Sequence, residues 1–129
     1  MFNGPLKVLI ADDSPVIVQR LREMISELHF VSSVGYAKDG AETLALVEFM
    51  NPDVILLDIH MPGVNGLQVL DEVRKQMKEI KVILITNHPD EDLKCQCLQR
   101  GADFIIDKSN EFDRIPELLN FRNRRAEAS

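Results

Sequence analysis

Asp58 closes the run Val54-Ile55-Leu56-Leu57-Asp58, and Ile59-His60-Met61-Pro62-Gly63 follows it. A carboxylate where an apolar run leaves the core is costly to bury unpaired, so it points to a site. Asp12 and Asp13 end a second run, Val8-Leu9-Ile10-Ala11. A third run, Val82-Ile83-Leu84-Ile85, ends in Thr86. A fourth, Phe104-Ile105-Ile106, reaches Lys108 by way of Asp107. Clustered acids repel one another: two unit charges about 4 Å apart cost roughly 4 kcal/mol at an effective dielectric near 20. A divalent cation removes that cost, and hard oxygen ligands suit magnesium, with manganese as a substitute. No histidine–cysteine set competes for zinc. Asp58 is then placed as a nucleophile, because a carboxylate can form an acyl phosphate. Charge developing on the phosphoryl oxygens would meet the cation, Lys108 and the Thr86 hydroxyl.

Each residue alone has a plainer reading. Asp12 or Asp13 could be an acid at a helix N-terminus. Thr86 could be an ordinary strand residue, and Lys108 a solvated loop charge. Together the plain reading weakens, because every member ends a strand candidate on the same edge. Asp107 fits the site less well and is assigned to solvent. His60 and His88 lack ligand spacing and are read as tuning access. His29 is placed at the end of the first helix, where positive charge is favoured.

Five strand candidates, at 7–11, 33–37, 54–58, 82–86 and 104–106, alternate with helical patterns. The first helix starts at Ser14 as N-cap with Pro15 in its first turn. Its stripe is Ile17, Leu21, Met24, Ile25 and Leu28. The second starts at Asp39, with Glu42 completing a capping box and Leu44, Ala45 and Val47 on its apolar side. The third is capped by Asn65 and carries Leu67, Leu70, Val73 and Met77. The fourth runs over 91–100 to Gly101, with a thin stripe of Leu93, Cys97 and Leu98. The fifth spans 112–124, with Ile115, Leu118 and Leu119 inward. Strands alternating with helices imply parallel pairing and right-handed crossovers, with helices on both faces. In such sheets ligands bind beyond the carboxyl ends of the strands, where the strand order reverses. Asp12, Asp13, Asp58, Thr86 and Lys108 should meet there.

The chain has 129 residues, of which 45% are hydrophobic, enough for one packed domain. Its formal net charge of −6 argues against general binding to nucleic acid or anionic membrane. Arg122, Arg124 and Arg125 form a local basic tail. Cys95 and Cys97 lie two apart, on nearly opposite sides of a helix, so they do not share a metal. They are read as reduced thiols, with at least one in the core. No run is long and apolar enough to span a bilayer, and the N-terminus lacks a signal-peptide pattern. A soluble, cytoplasmic protein is expected.

The motifs resemble the receiver domain of bacterial two-component response regulators. The matching pieces are Leu9-Ile10-Ala11-Asp12-Asp13-Ser14, the stretch from Leu56 to Gly66, Ile85-Thr86, and Gly101-Ala102-Asp103 through Lys108. The resemblance covers about 5–122. It implies a flavodoxin-like α/β fold: a doubly wound five-stranded parallel sheet of order 2-1-3-4-5, an order that general fold rules already illustrate with a receiver. It implies that Asp58 is the phosphoacceptor, and that Asp12, Asp13, Asp58 and the His60 backbone carbonyl hold magnesium. Thr86 resembles the switch hydroxyl and Lys108 the lysine that pairs with the phosphoryl group. The implied donor is a sensor histidine kinase or a phosphotransfer domain. Departures are Ser109 where proline is common, Ile105 at the usual aromatic position, and Asn87, His60 and His88 around the site. The combination of Thr-Asn, Asp-Lys-Ser and Glu-Phe is similar to certain stand-alone receivers.

The expected organisation is one receiver domain over 1–129, with a core of about 5–122 and a basic tail from 122. It would act as a signalling module rather than a turnover enzyme. Phosphorylation would switch a surface made by the fourth helix, fifth strand and fifth helix, read by a downstream protein or by a second copy in a homodimer. Two other classes compete. A magnesium-dependent phosphatase with an aspartyl nucleophile would place a second acid two residues on, where His60 stands. A constitutive interaction domain with a vestigial site would not need the intact Asp13, Asp58, Thr86 and Lys108 set.

Overall fold

Five apolar runs build the centre of the molecule, and their residues alternate between two faces. The computed structural model describes residues 5–76 and 79–121. The strands are β1 (Leu6–Ala11), β2 (Val31–Ala37), β3 (Val54–Asp58), β4 (Lys81–Thr86) and β5 (Phe104–Asp107). The helices are α1 (Pro15–Ser26), α2 (Gly40–Met50), α3 (Gly66–Lys75), α4 (Glu91–Gln99) and α5 (Ile115–Leu119), with a 3₁₀ turn over Phe112–Arg114 before the last. All strands pair in parallel in the order β2-β1-β3-β4-β5, as expected.

Alternation along each strand sends side chains to opposite faces. Val8, Ile10, Leu56, Ile83 and Ile85 pack with Val18, Leu21 and Ile25 of α1 and with Ile115, Leu118 and Leu119 of α5. Leu9, Ile55, Leu57, Val82 and Leu84 pack with Val47 of α2, Val69, Leu70 and Val73 of α3, and Cys97 of α4. β3 is buried along its whole length because it lies at the centre of the sheet. Full burial of each such side chain contributes about 1.5–3 kcal/mol.

Local chemistry sets the helix starts. Ser14 Oγ accepts from the Ile17 N–H at 3.4 Å, and Pro15 opens α1. Asn65 and Gln68 form a full capping box at α3, with reciprocal bonds of 2.9 Å. At α2 the expected box is altered. Asp39 Oδ1 accepts from the Glu42 N–H at 2.8 Å, but Glu42 Oε1 accepts from the Lys38 N–H rather than that of Asp39. Asp90 caps α4 by accepting from the Leu93 N–H at 2.8 Å, a cap outside the sequence expectation. Gly101 ends that helix with φ of +105°, a conformation glycine adopts without Cβ strain.

Several expected core positions differ. Ala45 is exposed, and Thr43 is buried in its place, with its hydroxyl donating to the Asp39 carbonyl at 2.7 Å. Leu98 is 53% exposed, so α4 offers chiefly Leu93 and Cys97 to the core. Cys97 is buried and Cys95 exposed. His29 lies beyond the end of α1 rather than in its last turn and meets the Phe30 ring edge-on. α5 begins at Ile115 because the preceding turn is 3₁₀. Met77 and the tail from Arg122 lie outside the described residues. No described helix is long and apolar enough to cross a membrane.

Candidate functional site

The register of neighbouring strands decides which polar residues meet. Ala11 of β1 lies opposite Leu57 of β3, so Asp12 follows beside Asp58. Asp58 is opposite Ile85, one residue before Thr86, and Thr86 is opposite Asp107, one residue before Lys108. The Asp12 N–H donates to the Ala37 carbonyl at 3.1 Å, which extends β1 by one residue to the sheet edge. Strand order reverses between β1 and β3, and ligand sites of doubly wound sheets form at that point.

Asp12, Asp13 and Asp58 each offer an oxygen, and these atoms lie within 4.8 Å of one another. Asp12 is 1% exposed and Asp58 4%, while Asp13 faces solvent. The donor set is all carboxylate oxygen with one open side. That fits a hard divalent cation such as magnesium and suits zinc poorly.

Lys108 Nζ stands 2.9 Å from Asp12 Oδ2 and 3.3 Å from Asp58 Oδ2. Asp12 Oδ2 is buried, and among the described residues the Lys108 ammonium is what compensates it. Asp12 Oδ1 accepts from the Ser14 N–H at 2.8 Å, and Asp58 Oδ1 from the His60 N–H at 3.2 Å. Burial pushes the Asp58 carboxyl above its ordinary range, and the neighbouring Asp12 charge pushes it further. Lys108 opposes that shift without cancelling it. Burial lowers the Lys108 ammonium, but its bonds and attraction to Asp12 and Asp58 more than offset this, so it is displaced upward.

Thr86 is buried at the end of β4, and its carbonyl accepts from the Lys108 N–H at 2.8 Å. The backbone of the lysine is thereby fixed to the strand that carries the hydroxyl. Glycine lets α3 begin against Asp58: a Cβ at Gly66 would lie 2.3 Å from the Asp58 carbonyl oxygen. The Gly66 N–H donates to the Ile59 carbonyl at 2.8 Å. The His60 side chain is exposed. Asp107 departs from its expected role in solvent. Its side chain is 14% exposed and accepts bonds from Ser109, Asn110 and His88. A carboxylate two residues before a serine N–H in a turn was the available signal.

A parallel five-stranded sheet with an acidic cluster and a lysine at its switch point defines a doubly wound receiver-type α/β domain. The model of the family described as the response regulator receiver domain matches residues 8–120. The chain belongs to that family. The nitrate/nitrite response regulator protein NarL of Escherichia coli strain K12 is 36% identical over 118 residues, covering 90% of this chain and 54% of that protein. The chain spans about half the length of such curated relatives. The receiver domain of the Francisella response regulator 1452 superposes with a TM-score of 0.85 at 30% identity, covering 94% of this chain and 98% of that one. A chain of the CheX–CheY–BeF₃–Mg complex from Borrelia burgdorferi gives 0.81 at 28% identity, covering 91% and 88%. Receiver domains of two-component systems bind magnesium at an acidic pocket, and the Asp12–Asp13–Asp58 cluster fits that pocket. They interact with histidine kinases.

Proposed function

We propose that Asp58 accepts a phosphoryl group from a phosphohistidine on a sensor kinase or a phosphotransfer domain. The observation that carries this reading is the placement of Asp58. Its carboxylate shares one pocket with Asp12 and Asp13 and lies 3.3 Å from the Lys108 ammonium. In the transfer an Asp58 carboxylate oxygen bonds to phosphorus, the donor P–N bond breaks, and its electron pair stays with the imidazole. Asp12, Asp13, Asp58 and the His60 carbonyl would hold magnesium. When bound, the metal supplies neutralisation of the phosphoryl oxygens.

The chain's own residues do the rest. Lys108 exchanges its pairing with Asp58 for a phosphoryl oxygen, keeping the positive charge where negative charge grows. Thr86 donates its hydroxyl to another phosphoryl oxygen. Burial that raises the Asp58 carboxyl also excludes competing water around the bound group. No general base is required, because the nucleophile is already ionised when the acidic charge is compensated.

The product would switch the α4–β5–α5 surface, where Leu98 and Phe104 are exposed. A shift from 1:99 to 99:1 needs about 5.5 kcal/mol of differential stabilisation, and charge-assisted bonds to phosphate are of the strength required. The domain is read as a cytoplasmic signalling module spanning 1–129, whose output passes through a partner protein or a second copy rather than through turnover. The Borrelia complex with BeF₃ and magnesium supports the metal and phosphoryl roles by likeness. Incubation with acetyl phosphate and magnesium, read by intact mass, should give one phosphoryl adduct on the native chain and none on Asp58→Ala. An adduct that persists in Asp58→Ala rejects the assignment.

A further inference from the structure

We infer that Asp107 is a positioning residue for Lys108: its carboxylate holds the turn after β5 that aims the ammonium into the acidic pocket and ties that turn to the loop after Thr86. Three observations carry this.

First, the turn is braced from Asp107 in every direction. Asp107 Oδ1 accepts from the Ser109 N–H at 2.9 Å, and Oδ2 from Asn110 Nδ2 at 3.2 Å. Its own N–H donates to Glu111 Oε1 at 3.0 Å, and its carbonyl accepts from the Glu111 N–H at 2.9 Å. Lys108 sits inside this frame. A lysine side chain is rich in rotamers, so a fixed backbone leaves only the side chain to be ordered. The Ser109 N–H and the Asp107 carboxylate thus close the turn on either side of Lys108.

Second, the same carboxylate reaches the neighbouring loop. The His88 N–H donates to Asp107 Oδ1 at 3.4 Å, and His88 Nδ1 lies 3.8 Å from Oδ2. Ser109 Oγ donates to Asn87 Oδ1 at 3.5 Å. Both loops that flank Asp58 on this side are therefore linked through residues 107–109. His88 has φ of +48°, a left-handed conformation that a non-glycine residue keeps only when its surroundings hold it.

Third, Asp107 is shielded without touching the acidic triad. Its side chain is only 14% exposed, and its bonds run to the turn and to His88. The Ser109 N–H holds its carboxyl below the ordinary range, consistent with an ionised acceptor. Its effect on the pocket must then pass through Lys108 and the loop after Thr86.

The kinetic half of the test rests on the phosphoacceptor reading above, and the exchange half does not. Asp107→Ala should slow Asp58 adduct formation by acetyl phosphate about tenfold, the size expected for one lost charge-assisted bond. Asp107→Asn, which keeps an oxygen for the Ser109 N–H, should stay within about twofold. In a Lys108→Ala background, Asp107→Ala should add nothing. A native rate in Asp107→Ala, or an equal loss in both backgrounds, overturns the inference. Amide hydrogen exchange without donor provides the second arm. Lys108 and Ser109 should exchange about tenfold faster in Asp107→Ala, with β1 and β3 unchanged. Uniform acceleration across the sheet would mean general destabilisation and overturns the role. If the native chain takes no phosphoryl group, the Asp58 reading fails, and exchange alone decides the role of Asp107.

Discussion

Asp58 is held in a state that its own fold disfavours. Burial and the Asp12 charge raise its carboxyl above the unfolded value of 3.8, so ionising it costs more in the folded chain. The penalty is absent below the unfolded value, grows as pH rises through the folded value, and is complete above it. Asp58→Asn should therefore raise the melting temperature of the metal-free protein at neutral pH by a few degrees. That advantage should fade as pH falls toward 3.8 and below. Thermal unfolding across pH checks it, and an advantage that grows toward acid would contradict the electrostatic account. The cost is the counterpart of function: a buried carboxylate held only by one ammonium and the His60 N–H, with Asp12 repelling it, is ready to meet a cation and phosphorus.

At the scale of elements, α4 is joined to the rest of the fold mainly by polar ties. Its apolar contribution is Leu93 and Cys97, with Leu98 exposed. Arg100 of its C-cap pairs through two nitrogens with Asp71 of α3. Arg74 of α3 donates to the Gly101 carbonyl at 2.9 and 3.0 Å, to the Ile80 carbonyl at 2.7 Å, and to Asp103 at 3.1 Å. The two arginines differ in worth. Asp71 is half exposed, and solvent-screened pairs contribute about 0–1 kcal/mol. Arg74 satisfies partly buried carbonyls, and each bond contributes about 0.5–1.5 kcal/mol. Arg74→Ala should cost about 2–3 kcal/mol and Arg100→Ala less than about 1 kcal/mol, as read by urea unfolding. The reverse order would show that the exposed pair, not the carbonyl clamp, anchors α4. These ties gather at its C-terminal end, while Leu93 packs its N-terminal half on the core.

At the scale of the molecule, both core layers share one sheet. Leu56 packs toward α1 and α5 while its neighbours Ile55 and Leu57 pack toward α2, α3 and α4. Neither layer can lose its helices without exposing the back of strands that the other needs. Unfolding should be a single transition, with calorimetric and van't Hoff enthalpies equal. Two separated transitions would mean that the layers are independent.

Much of this was legible before any coordinates. Strand runs such as Val54–Asp58 carry no surface face, so their period and burial leave little choice but a covered parallel sheet. The N-caps at Ser14, Asp39 and Asn65 rest on side-chain oxygens acting within three residues, and local chemistry of that kind is written in local sequence. Less could be read where burial is set by a distant neighbour. Ala45 and Leu98 fit their helical stripes yet face solvent, because the angle at which a helix meets the sheet selects the buried face, and in α2 that face carries Thr43. Asp107 looked like a solvated acid because its partners His88 and Asn110 meet it only across a turn and a neighbouring loop.

The order of polar residues at strand ends, and thus the kind of chemistry available, was settled by the sequence alone, since each apolar run marks its own strand and the polar residue that ends it. What the tertiary structure alone decided is the distances: Lys108 on Asp12 at 2.9 Å, the triad within 4.8 Å, and the turn that aims the lysine. Those depend on how separate strands are staggered and how loops close, which no local pattern encodes.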